Sequence, residues 1–256
     1  PGCEDTVFLV HGSCASMLQW PEQLEMFAEA HNVVAFDAFG CGRSPKPDGW
    51  SHYASDELYE DLSALFSRFR GSGRNIVVAH SMGCSFALRL AASSPEGAVR
   101  ALALLSATAV KPAVAAGPLF RLPVGLLRLL QPTLDASFIR MAFHPTTVQS
   151  TEPGRRELIA LASATSGSNP MFMCKAYYRQ LAVPSHEELA QVRVPVLLLH
   201  GADDGVIQSS DSLKLQSLLK HASVSRQEVP SCSHQLMQEN AAPVNGLIAA
   251  FLHGEG

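Results

Sequence analysis

No run of eighteen apolar residues free of proline, glycine and charge occurs in this 256-residue chain. No transmembrane helix is expected. No five charges of like sign stand together, and 19 Lys and Arg oppose 23 Asp and Glu for a net charge of −4. That balance offers neither nucleic acid nor an anionic surface a basic patch, so no nucleic-acid partner is expected. The six cysteines (Cys3, Cys14, Cys41, Cys84, Cys174 and Cys232) are scattered, without a CxxC pair. They read as small reduced core residues and favour a reducing, intracellular setting. No His, Cys and Asp cluster has metal-ligand spacing, so neither a metal nor a cofactor is expected. Internal repeats and low-complexity tracts are absent. The first residue is Pro1 rather than Met, so targeting signals that precede it would not be visible.

Hydrophobic residues make up 47% of the chain, enough for one domain with a large core or one carrying an insertion. Short apolar runs alternate with amphipathic stretches. Thr6–Val10, Asn32–Phe36, Asn75–Ala79, Val99–Leu105, Val194–His200 and Ala222–Val229 read as strands. All but the last are almost wholly apolar, as strands covered on both faces are. Helices are expected at Pro21–Ala30, at Ser55–Arg70 with Ser55 as its cap, and at Met82–Ala92, Ser210–Leu219 and Ala242–Leu252. The alternation predicts an α/β fold with a mostly parallel sheet of about six strands flanked by helices. Residues 111–188 break the rhythm: rich in Leu, Pro and Ala, they read as Pro-punctuated helices inserted between a core formed by residues 1–110 and 189–256.

The stretch "IVVAHSMGCSF" (76–86) runs from buried strand into helix and leaves Ser81 on the corner. Such a turn lifts a hydroxyl clear of the sheet and aims the first helical N–H groups at whatever it attacks. Crowding there demands small residues two positions to either side, and Ala79 and Gly83 fill them. A serine needs a base. His234 follows the last strand in "VPSCSHQLMQEN", at the sheet edge where open α/β sheets build sites. His80 is sent away from Ser81 by the sharp turn, and His200 is expected to be buried and structural. An acid to orient the imidazole should lie between Ser81 and His234 at another strand end, where "LLLHGADDGVI" offers Asp203 and Asp204.

The order Ser, Asp, His resembles that of the α/β-hydrolases, and so do "VHG" (His11, Gly12), "DAFGCGRS" (Asp37, Gly40, Gly42, Ser44) and "GADD". The nearest likeness within the superfamily is to the eighth branch of vertebrate α/β-hydrolase-domain proteins, on "VPVLLLHGADD", the helical insert and "SHQLMQEN". The resemblance maps the acid onto Asp204. It implies Ser81 as nucleophile, His234 as base, and the N–H groups of Ser13 and Met82 as oxyanion donors. It also implies that the insert is a lid, whose Leu119, Phe120, Leu126, Leu127, Leu130, Phe138, Met141, Phe143, Met171, Phe172 and Met173 would suit an apolar acyl portion. Arg121 and Arg128 flank "LPVGLL", a feature that fits contact with a membrane surface. Family members open with two strands before the His-Gly segment. His11 arrives too early for both, so either they lie upstream or "NVVAF" lies near the edge of a shortened sheet. The expected activity is cofactor-free hydrolysis of a carboxylic ester or thioester through an acyl-enzyme. A fold retained only for binding, or an acyltransferase on the same scaffold, is the alternative. The family's acyltransferase pattern, His-x-x-x-x-Asp, is not met, because position 239 is Glu.

Overall fold

Four of the apolar strands are buried on both faces, and the fifth, Asn32–Ala35, is only partly buried at the edge of the sheet. A computed structural model, which describes residues 4–254, contains β1 (Thr6–Val10), β2 (Asn32–Ala35), β3 (Asn75–His80), β4 (Ala101–Leu105), β5 (Val196–Gly201) and β6 (Val224–Val229). Cys3 lies outside the described residues. The strands form one sheet in the order β2-β1-β3-β4-β5-β6, every pair parallel. Side chains alternate between its faces. Phe8, Val10, Val77, Ala79, Leu102, Leu104, Val196 and Leu198 join one core cluster. Val7, Leu9, Ile76, Val78, Ala103, Leu105, Leu197 and Leu199 join another. Two apolar layers explain why these strands show no alternation in sequence.

Helices α1 (Pro21–Ala28), α2 (Ser55–Phe69) and α3 (Met82–Ser93) connect the first four strands. Ser55 does not cap α2. Ala54 occupies that position, while the Ser55 hydroxyl donates to Gln180 O and accepts from the Ala182 N–H. Leu58, Leu62 and Phe66 are the buried stripe of α2, whereas Phe69, one turn too far, is exposed. Between β4 and β5 the chain forms α4 (Ala113–Ala116), α5 (Val124–Ala142), α6 (Pro145–Val148), α7 (Pro153–Gly167), α8 (Met171–Gln180) and α9 (His186–Gln191), with no strand. Ser185 and Glu188 make a reciprocal cap that starts α9. Glu188 also pairs with Arg89 on α3. Then come α10 (Ser209–Leu218), α11 (Leu236–Glu239) and α12 (Ala241–Gly254). None of the described helices is long and apolar enough to cross a membrane.

Parallel strands bring all their carboxyl ends to one edge. His11, Ser81, Ser106, Asp204 and His234 each follow a different strand there.

Candidate active site

Ser81 stands alone between β3 and α3, with φ 52° and ψ −120°. A non-glycine residue there stores about 1–3 kcal/mol of strain. The surroundings impose it: the Ser81 N–H donates to Leu105 O at 2.8 Å, and the Cys84 N–H to Ser81 O at 3.0 Å. A Cβ on Gly83 would sit 2.6 Å from the carbonyl oxygens of both Val10 and His11. Backbone on both contacts leaves nothing flexible to yield. Gly83→Ala is therefore expected to cost about 2–3 kcal/mol, measured as a lower melting temperature in a thermal unfolding experiment. An unchanged melting temperature would mean that β1 can move away.

β3 and β5 are two strand spacings apart, about 10 Å. The loop after β6 spans that gap with an imidazole. His234 Nδ1 lies 2.9 Å from Asp204 Oδ2, and His234 Nε2 lies 3.0 Å from Ser81 Oγ. A carboxylate only accepts, so Nδ1 carries the proton and Nε2 is left to accept the Ser81 hydroxyl. The other carboxylate oxygen accepts the N–H groups of Val206 and Ile207, each at 2.9 Å. Burial by itself would raise the pKa of Asp204. The charge of a protonated His234 and hydrogen bonds from His200, His234 and Ile207 outweigh it and hold the carboxyl far below the ordinary range. Asp203 is turned outward, 3.6 Å from His144 Nε2.

Several supporting groups were not evident from sequence. His80 lies against the His234 ring, centroids 4.7 Å apart, and its Nε2–H donates to His234 O at 2.9 Å. Burial pushes its pKa well down, with the His234 charge adding to the effect, so His80 is neutral. Ser106 Oγ donates to the same carbonyl. His200, expected to be merely buried, shares its Nε2–H between Ile207 O at 2.9 Å and Asp204 Oδ2 at 3.3 Å. Glu239, also buried, accepts the Ser233 N–H at 2.6 Å and the His144 N–H at 2.7 Å. Ser233 Oγ donates to Met141 O, and the Gln235 N–H to Ala142 O. The end of α5 is thus sewn to the loop that carries His234. The only sequence signal for this was a carboxylate five residues after the histidine.

The His-Gly and Asp-x-x-Gly-x-Gly-x-Ser segments brace one another. His11 Nε2 accepts the Ala38 N–H at 2.9 Å, and Asp37 accepts the N–H groups of Met17 and Arg43, each at 2.8 Å. This fixes the loop after β1, where Gly12 lies against the His80 ring and Ser81. Ser13 lines the same cavity as Ser81 and His234, and its hydroxyl is approached by that of Tyr177 at 3.4 Å. Met82 is the first residue of α3, where an N–H has no acceptor within its own helix.

A cavity of about 320 Å³ opens over Ser81 and His234. Leu119, Phe120, Phe138, Met141 and Met171 of the inserted helices line it. Leu127, Phe143 and Met173 are instead buried in packing, and Leu126 is exposed. Of the residues on the neighbouring loops, Cys14 lines it, whereas Arg43, Cys41 and Cys232 do not.

A family model described as Hydrolase_4, serine aminopeptidase S33, matches residues 3–241. Over 251 residues the chain is 30% identical to Protein ABHD8 of Mus musculus, an alignment covering 96% of this chain and 54% of that protein. The chain thus spans about half the length of the first curated relatives it matches. It is 27% identical over 263 residues to Epoxide hydrolase 3 of Xenopus tropicalis, covering 96% of this chain and 71% of that one. The thermophilic esterase from Thermogutta terrifontis superposes with a TM-score of 0.82 at 20% identity, covering 99% of this chain and 91% of its own.

Proposed function

Because this chain belongs to the serine aminopeptidase S33 family and has the α/β-hydrolase fold, we propose that it is a serine hydrolase cleaving a carboxylic ester or thioester. The observation that carries this reading is the unbroken chain of hydrogen bonds from Asp204 through His234 to Ser81, on the wall of an apolar cavity. Ser81 Oγ attacks the acyl carbon as His234 Nε2 takes its proton. The N–H groups of Met82 and Ser13 receive the developing oxyanion, each worth about 3 kcal/mol of transition-state stabilisation. His234 then hands the proton to the leaving alkoxide or thiolate. Water enters, gives a proton to His234 and its oxygen to the acyl carbon, and Ser81 leaves with that proton restored.

The helices from α4 to α8 act as a cap that shapes the acyl site and excludes water. On its outer side Leu126 and Leu129 are exposed beside Arg121 and Arg128, which supports contact of the cap with a membrane surface. The direct test is a small fluorophosphonate followed by peptide mass mapping. The expected result is one adduct on Ser81; an unlabelled chain would overturn the reading and leave a binding scaffold. A panel of straight-chain esters and thioesters should then show kcat/KM rising about fourfold per added methylene until the cavity is full, the factor set by burial of each CH₂.

A further inference from the structure

The cavity is apolar but not featureless, and its polar groups lean one way. Asp135 on α5 lines it, Oδ1 accepting from Ser166 Oγ of α7 at 2.7 Å. No Lys or Arg is among the described residues that line the cavity. Asn169, also on the wall, donates its Nδ2 to Cys14 O at 2.7 Å and Thr165 O at 3.0 Å. Two carbonyl partners identify that atom as the nitrogen, and Oδ1 is left buried without a hydrogen-bond partner. His80 Nδ1 is likewise a buried bare acceptor, since Nε2 carries the proton. Among the buried side-chain atoms of the described lining residues, the one donor without a partner is Gln19 Nε2. A wall with a carboxylate and no cation attracts N–H and O–H groups and repels phosphate and carboxylate.

We propose that Asp135 is a specificity-determining residue, and that the cavity selects esters bearing a hydrogen-bond donor and no negative charge at the end remote from the reacting carbonyl. This rests on the serine-hydrolase reading above. The donor has two chemical sources, a hydroxyl or an ammonium group. Asp135 Oδ2 accepts from either, and the carboxylate charge adds attraction for the second alone. Acyl groups carried on a polyphosphate thiol, and lysophospholipids with their phosphate, are disfavoured for the same reason.

The test uses two ester series of graded length, one varied in the acid and one in the alcohol, each ending in methyl, hydroxyl, ammonium or carboxylate. In at least one series, at its best length, the hydroxyl and ammonium members should exceed the carboxylate member about tenfold or more in kcat/KM. Raising salt from about 20 mM to about 500 mM should narrow the ammonium-to-carboxylate ratio in the wild-type chain. Asp135→Asn should reduce that ratio about tenfold, with part of the preference for hydroxyl retained, because an amide oxygen still accepts. Asp135→Glu should keep the order. Carboxylate esters cleaved as well as ammonium esters, or a ratio indifferent to both salt and Asp135→Asn, would overturn the proposal. If Asp135→Asn does not fold, the salt series on the wild-type chain decides. Fluorophosphonate labelling of the wild-type chain separates the two failures: a labelled chain without charge preference sinks this inference alone, whereas an unlabelled one sinks the reading beneath it.

Discussion

Ser81→Ala is expected to lower ester turnover by about 10⁶-fold and to abolish fluorophosphonate labelling, while the chain stays folded. The size follows from the proposed mechanism: without Oγ no acyl-enzyme would form, and His234 would have no proton to take. Folding should survive because Ser81 is held by its backbone. Its N–H to Leu105 O and its carbonyl to Cys84 N–H are both kept by alanine. The only hydrogen bond described for its hydroxyl is to His234 Nε2, which faces the cavity. Alanine is as strained as serine at φ 52°, so the melting temperature should barely move. Ser81→Gly removes that strain and should stabilise the fold by about 1 kcal/mol with the same loss of activity. Turnover and labelling retained in a homogeneous Ser81→Ala preparation would refute Ser81 as nucleophile.

The second large effect is expected at Asp204. Asp204→Asn should reduce kcat about 10⁴-fold. The amide oxygen is expected to stay with the N–H groups of Val206 and Ile207, since those donors are fixed by backbone. The NH₂ then faces His234 Nδ1 and drives the imidazole into the tautomer with its proton on Nε2, where it meets Ser81 as a donor and cannot act as base. His200 Nε2–H also loses its carboxylate partner, though Ile207 O still accepts from it. The pH dependence of stability has a definite sign. The folded Asp204 carboxyl titrates below its ordinary 3.8. Its stabilisation is therefore complete above about pH 4 and is lost as the pH falls through the folded value. Chemical unfolding of wild type and Asp204→Asn should show a gap at neutral pH that closes in acid. A gap that widened in acid, or a kcat within tenfold of wild type, would remove Asp204 from its role.

Much of this architecture was readable from composition and spacing. Continuous Val, Leu and Ile runs such as "TVFLV" and "ALALL" announce strands covered twice, and the two core clusters are the reason. Errors fall where local signals compete with tertiary contacts. Ser55 has the chemistry of a cap, yet its hydroxyl bridges to the chain after α8. Phe69 continues the apolar stripe of α2, but the helix has run past the core beneath it. His200 read as structural because a buried strand-end histidine usually is. Its contact with Asp204 depends on a loop returning four residues later. Glu239 carried almost no signal, since its partners, the N–H groups of Ser233 and His144, are 6 and 95 residues away.

The linear order of residues was enough to establish a doubly covered parallel sheet, its strand ends, and which types of side chain stand at them. These follow from side-chain period, residue size at tight turns, and the direction every parallel strand must share. It could not say which acceptors surround the cavity, why Glu239 ties α5 to the loop bearing His234, or that the imidazole reaches over β4 between hydroxyl and carboxylate. Those depend on distances between segments remote in the chain, and such distances are set by packing against the whole core rather than by any local pattern.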